Sequence, residues 1–308
     1  MAHPDLVVFY EHPVWFAPLF VALDRSGIAW SALCATGHAF DPSDPVPPAP
    51  LVLNRIAMSS FLRQAEHPIF YAQSLFAQWE GLGARVLNGS VALALDASKA
   101  RQLALIHRLG LNAPATRVVH ARADLVAAAE AIGFPLVVKA DIGGAGAGIV
   151  RYDTLAELRD AIAAGTVPAG INGVTLVQDY VPRRGGRITR VETLGGRYLY
   201  ALDIESDGDT FDLCPADACA VGRPPVHMAR TDPPPELIAA TEAIVQAAGL
   251  DLGGVEYLID DRDGVARFYD INALSNFVAS PLDVLGWDPH DRLVDWLGQQ
   301  IAKTRKAA

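Results

Sequence analysis

Short apolar runs bounded by turn-forming residues alternate with longer stretches of helical periodicity along the first 90 residues. DLVVFY at 5–10 reads as a buried opening strand, followed by a helix over about 13–25. The proline-rich connection FDPSDPVPPAP leads into a second strand, LVLNRI at 51–56. An apolar and aromatic helical pattern covers 69–79, and ARVLNG at 84–89 supplies another short strand. Strands alternating with helices predict a parallel α/β lobe that ends near residue 90.

From there the pattern changes. Asp96 or Ser98 can cap a helix running to Gly110, and after Pro114 come the strand ATRVVH, a helix over 124–132 and the strand FPLVVKA. Six consecutive glycines and alanines fill 143–148, after which GIVRYD reads as strand again. Thr154 opens a helix with Glu157 in capping-box position, and TLVQDYV at 175–181 is the next strand. RITRVETLGGRYLYALDI is a hairpin around Gly195 and Gly196. A helix over 236–248 precedes a second hairpin, GVEYLIDDRDGVARFYDIN, and a last helix lies near 291–302. These boundaries predict three units, 1–90, 91–182 and 183–308, with no internal repeat.

Composition narrows the function classes. Of 308 residues 51% are hydrophobic, enough for a sizeable core, and 35 acids against 25 lysines and arginines give a net charge of −10. Such a chain is a poor binder of nucleic acid, which requires neutralised phosphates. Cys34, Cys214 and Cys219 have no metal-ligand spacing; the last two are buried thiols of a reduced compartment or, alternatively, a pair or a nucleophile. The N-terminal residues lack a signal-peptide pattern, and no apolar stretch approaches the ~18 residues that cross a bilayer. The expectation is a soluble cytoplasmic protein without membrane or nucleic-acid partners; a homo-oligomer is compatible with the sequence.

The glycine loop raises the first chemical question. A dinucleotide-binding turn needs a helix directly after its glycines, but IVRYDT is strand-like and the helix starts only at Thr154. A Walker A loop ends in Gly-Lys-Ser/Thr, which is absent, and in protein kinases the glycine loop precedes the lysine strand. What remains is strand, Lys139, glycine loop and strand. That is a hairpin whose backbone N–H groups can approach phosphate oxygens, or a plain surface hairpin.

The second hairpin carries stronger chemistry. Its turn, DDRDG, places Glu256 opposite Asp270, and Asn272 two residues on points to the same side. Like charges directly opposed are destabilising unless compensated. The three side chains form a set of hard oxygen ligands suited to Mg²⁺, the alternative being a solvated acidic face. The turn lacks EF-hand spacing, so its aspartates read as turn formers.

In this order the features resemble the ATP-grasp superfamily, in particular carboxylate–amine ligases of the ribosomal-protein-S6 glutamate ligase type. The segments that carry the resemblance are DASKARQLALIHRLGLNAPAT, FPLVVKADIGGAGAG, LVQDYV, RITRVETLGGRYLYAL, GGVEYLI and FYDINAL, spanning about 90–280. The resemblance implies an α/β chain with α+β lobes: an ATP-grasp fold behind an N-terminal parallel α/β domain. It also implies ATP and two Mg²⁺ ions (Mn²⁺ being an acceptable substitute) as cofactors, and carboxylate and amine substrates, an amino acid or a peptide. Lys99 and Lys139 look like its phosphate-contacting lysines, with Gly143, Gly144 and Gly146 in the loop over the phosphates. Gln178, Asp179, Tyr180 and Val181 look like the adenine-binding hinge, Arg190 like the arginine on the reacting phosphoryl group, and Glu256, Asp270 and Asn272 like the magnesium ligands. There are three departures. No acid for the ribose follows the hinge in PRRGGRIT. FDLCPADACAVGRPP is poor in basic and amide groups, and ALSNF replaces a proline–glycine turn after Asn272.

The implied reaction is attack of a carboxylate on the γ-phosphorus, giving an acyl phosphate that an amine converts to an amide, with the glycine loop as a lid against water. A small-molecule kinase or an inactive nucleotide-binding regulator are the alternatives. For the substrate, Arg55 at a strand end is the candidate carboxylate grip, a structural salt bridge being its other reading, and Arg187 is a second candidate. Glu11 and His12 also follow a strand.

Overall fold

The computed structural model describes residues 4–143, 146, 148–206 and 226–307. Gly144 and the whole FDLCPADACAVGRPP segment, with Cys214 and Cys219, lie outside them. Among the described residues no helix is long and apolar enough to cross a membrane.

The opening strand β1 (Leu6–Tyr10) is followed by α1 (Ala17–Ser26), β2 (Trp30–Cys34), β3 (Leu51–Arg55), α2 (Ile69–Gly81) and β4 (Arg85–Leu87). The four strands form a parallel sheet in the order β2-β1-β3-β4. Leu6, Val8, Phe9 and all of Leu51–Arg55 are buried, as expected of strands covered on both faces. The pattern reading missed β2 because it is an edge strand whose middle residues are exposed, so no apolar run marks it.

A short helix α3 (Ser90–Asp96) leads to α4 (Lys99–Arg108), whose N-cap is Ser98 rather than Asp96, its side chain accepting from the Arg101 N–H at 3.2 Å. Next come β5 (Thr116–Val119), α5 (Leu125–Ile132), β6 (Leu136–Ala140), β7 (Ile149–Tyr152), α6 (Leu155–Ala164) and β8 (Thr175–Asp179). These strands make a fully antiparallel sheet, β5-β8-β6-β7, in which the glycine loop joins β6 to β7 as a hairpin. Thr154 caps α6 as expected, and Glu157 reaches back to the Asp153 N–H at 2.9 Å.

The third sheet is built from β9 (Arg187–Leu194), β10 (Arg197–Ser206), β11 (Val226–Thr231), α7 (Pro235–Ala247), β12 (Leu252–Ile259) and β13 (Ala266–Asn272). Its antiparallel order is β11-β10-β9-β12-β13. One face packs on α4 and α7 through Val191, Ile244, Val255 and Ile271. The short α8 (Pro281–Val284) and long α9 (Pro289–Ala307) follow, and α9 joins α1 and the first sheet in one continuous core with β10. Asn88, at φ 42°, fastens the first sheet to the third: its side chain accepts from the Asp251 N–H at 2.7 Å and donates to the carbonyls of Leu252, at 2.6 Å, and Ala273.

Candidate active site

The site grows from three neighbouring strands. Arg190 on β9 is paired with Glu256 on β12, and Glu256 with Asp270 on β13, so the three side chains form a row across the sheet. The adjacent row holds Glu192, Gly254 and Asn272. Strand alternation puts both rows on one face while Val191, Val255 and Ile271 bury the other. The pairing of Glu256 with Asp270 depends on a β-bulge: Tyr257 pairs with Phe268, and the extra residue Tyr269 shifts the register by one. The Tyr269 hydroxyl donates to Glu256 Oε2 at 2.9 Å.

Arg190 is buried and donates from Nε to Glu192 Oε1 at 2.7 Å and from Nη1 to Glu256 Oε1 at 3.1 Å. It lies flat over Gly254, where an added Cβ would stand 2.7 Å from Nε. Only glycine leaves that space. Burial, then the charge of Asp270, pushes the Glu256 carboxyl above the usual carboxylate range.

Two lysines complete the site from other elements. Lys99, the first residue of α4, ion-pairs with Asp270. Burial opposes its charge, but Asp270, with Glu256 and Asp96, outweighs burial and raises its pKa. Lys139 on β6 is buried within reach of the charges on Lys99, Asp270, Asp141 and Glu256; burial, then Lys99, lowers its pKa to about 7. Asp141 at the end of the same strand holds the start of α4 in place, accepting from the Ala100 N–H at 2.8 Å and from Ser98 Oγ at 3.2 Å.

Gly143 is half-buried, and Gly146 takes a left-handed φ of 69° that glycine adopts without strain. Gln178 donates to Thr116 Oγ1 at 2.7 Å, Tyr180 lies under the Arg151 guanidinium at 4.1 Å, and Val181 is buried in the core shared with the third sheet. Asp179 accepts from both terminal nitrogens of Arg262, at 3.2 and 2.6 Å. Arg262 also binds the fully buried Asp260, whose carboxyl the Arg262 hydrogen bonds hold far below the usual range. The turn aspartates therefore do more than form the turn: through Arg262, Asp260 ties the hairpin to Asp179 at the end of β8.

The structure does not bring Arg187 to this face. Odd spacing from Arg190 turns it to the opposite side of β9, half-exposed and 3.7 Å from Asp203. Arg55 is enclosed between sheets, with Nη1 donating to the Ser275 carbonyl at 3.2 Å. Glu11 is buried against Arg63, and the His12 ring stacks on Trp15 with centroids 4.6 Å apart. Sequence reasoning missed Glu192, Tyr269, Gly254 and Asp96, whose carboxyl is pushed up to about 7, first by burial. The alternating Arg-Val-Glu of β9 was a signal for Glu192, since residues two apart share a face.

Two carboxylates and an amide on adjoining strands, with Glu256 raised by burial and then by its acidic neighbour, fit Mg²⁺. Among the described residues no His, Cys, Asp or Glu cluster of three or more forms a self-sufficient metal cage. Mg²⁺ draws its remaining ligands from water and phosphate, so two carboxylates suffice.

A glycine-loop sheet with its buried lysine, a carboxylate-bearing sheet and a parallel sheet ahead of them together define an ATP-grasp enzyme, an ATP-dependent ligase of the carboxylate–amine type. The chain belongs to the RimK-like ATP-grasp family, whose domain matches residues 96–279. It is 32% identical over 234 residues to a probable alpha-L-glutamate ligase of Enterobacter sp. (strain 638), covering 74% of this chain and 72% of that one. To a ribosomal protein bS6–L-glutamate ligase of Salmonella paratyphi B it is 31% identical over 231 residues, covering 74% and 72%. The solved ATP-grasp ligase PsnB, complexed with a phosphomimetic variant of its minimal precursor, Mg and ADP, superposes with a TM-score of 0.73 at 16% identity, over 98% of this chain and 100% of that one.

Proposed function

We propose that the protein joins the amino group of a glutamate-type amino acid to a carboxylate presented by a peptide or protein. The choice of substrates rests on the names of its relatives, glutamate ligases of which one acts on a ribosomal protein. The three sheets support a division into 1–90, 91–182 and 183–308, with the nucleotide between the second and third units. The work belongs in the cytoplasm, where ATP and free amino acids are plentiful.

A carboxylate oxygen of the acid attacks the γ-phosphorus, the bond to the bridging oxygen breaks, and ADP leaves. The amine nitrogen then attacks the acyl carbon, the bond to phosphate breaks, and the nitrogen gives up a proton. Lys99, Lys139 and Arg190 offset the negative charge spread over the transferring group. Glu256, Asp270 and Asn272 would hold two Mg²⁺ ions (Mn²⁺ suits the same donors), which supply charge neutralisation at the β- and γ-phosphates when bound. Gly143, Gly146 and the intervening Gly144 offer backbone N–H groups, and the Gln178–Val181 segment a rim for adenine.

The observation that carries this reading is the Arg190–Glu256–Asp270 row closed by Lys99, because cations and paired carboxylates there meet on one face. Its test is isotopic. An acid labelled with ¹⁸O in its carboxylate should deliver one labelled oxygen to inorganic phosphate, and Asp270→Ala should lose turnover by 100-fold or more, on the order of a removed charge-stabilising group. Unlabelled phosphate, or near-normal activity in the variant, would contradict it.

A further inference from the structure

Where the first and third sheets meet lies a group of buried polar atoms that the nucleotide and metal chemistry leaves unused. Arg55 ends β3 beside β1, where the strand order β2-β1-β3-β4 reverses. Open α/β sheets bind ligands at the carboxyl ends of strands at such a reversal. Arg55 is 2% exposed, lies 5.9 Å from the Phe16 ring centroid, and among the described residues has one hydrogen bond, to the Ser275 carbonyl. Its Nε has no partner. Among the described residues it has no ion pair, although the Glu192 charge acts on it. A guanidinium buried with so little compensation is costly, and an anion would offset that cost.

Two acceptors close by are in a similar condition among the described residues: the Glu192 charge acts on Arg55, and Asn276 follows the Ser275 whose carbonyl Arg55 binds. Glu192 is also 2% exposed; Oε1 takes the Arg190 bond, and Oε2 has no partner. The half-buried Asn276 likewise leaves Oδ1 unpartnered. The loop that carries Ser275 and Asn276 is strained, with Phe277 at φ 58° and Ser280 at φ 50°, a region that side chains of their kind rarely occupy. It is held so by the Phe277 N–H donating to Ser275 Oγ at 3.0 Å and the Val278 N–H to the Tyr200 hydroxyl at 3.1 Å. Strain enforced by its surroundings is characteristic of ligand sites.

A cationic side chain with a free donor, near two acceptor atoms without partners among the described residues, is the complement of an amino-acid zwitterion. We infer that Arg55, Glu192 and Asn276 form the subsite for the amine substrate, a free α-amino acid. Arg55 takes the α-carboxylate by charge-assisted hydrogen bonds, and Glu192 and Asn276 take the amino group. Glu192 shares its cross-strand row with Asn272 through Gly254, which sets that amino group beside the carboxylate cluster. This assignment deepens the ligase reading and rests on it.

The test is calorimetric titration of the full chain with Mg²⁺ and a non-hydrolysable ATP analogue, followed by L-glutamate, its α-amide and glutarate. L-Glutamate should bind at least tenfold more tightly than either analogue. Arg55→Lys should weaken L-glutamate at least tenfold while leaving the α-amide within about twofold, and Glu192→Gln should weaken L-glutamate without weakening glutarate. The nucleotide titration reports whether each variant is folded; should Arg55→Lys fail it, Asn276→Ala serves in its place, with a loss of threefold or more. Equal binding of L-glutamate and its α-amide, or wild-type affinity in a folded variant, overturns the subsite. Nucleotide binding with none of the three probes bound overturns it while sparing the ligase reading. Absence of nucleotide binding overturns both.

Discussion

Lys139 is held in the protein at an energetic cost. Its pKa falls from 10.5 to about 7, by burial and then by Lys99, so between those limits the folded chain binds fewer protons than the unfolded one. The penalty is full below about pH 7 and fades as the pH rises toward 10. Lys139→Met should therefore melt higher than the wild type at pH 6, with the gap narrowing by pH 9, and should lose turnover. Equal melting at pH 6, or a gap that widens with pH, would contradict the assignment of a strained buried ammonium. At this scale the sequence was readable wherever chemistry and periodicity coincide: Lys139 stands near the end of its strand and Asp270 and Asn272 share a face by parity, while the bulge completes the pairing of Glu256 with Asp270. Arg187 shows the limit, since parity with Arg190 already placed it on the wrong face. The enclosure of Arg55 by Ser275, 220 positions away, has no local signature.

Among the elements, α4 and β13 are linked by one side chain. Gln102, buried on α4, donates to the Ile271 carbonyl at 2.8 Å and accepts from the Ile271 N–H at 3.0 Å. It satisfies the outer edge of β13 between Asp270 and Asn272, where no further strand pairs among the described residues. Gln102→Leu should cost on the order of 2 kcal/mol in denaturant unfolding, for two buried backbone groups left without partners, and should raise the Mg²⁺ concentration needed for turnover. Unchanged stability would show that water replaces the amide without loss. The two hairpins of the third sheet were readable because their strands carry β-branched and aromatic residues and their turns carry glycine pairs or Asp-Gly. The bulge at Tyr269 was not, because one extra residue changes neither composition nor period. The edge strand β2 escaped for the opposite reason, lacking an apolar run.

For the molecule as a whole, the order of motifs carried more information than any one of them. The glycine loop alone fitted a surface hairpin, yet Lys139 before it and the carboxylate hairpin about 120 residues later fall on facing sheets in the structure. The strand-order reversal of the first sheet and the strained loop after Asn272 emerge only from assembly, with Asn88 fastening one sheet to the other. The most direct measurement of the central claim is ADP release with amino acids and peptides offered singly and in pairs. ADP, phosphate and an amide product should appear only when an acid and an amine are present together. Steady ADP release with one substrate alone, accompanied by a stable phosphorylated product, would contradict ligation and make the protein a kinase.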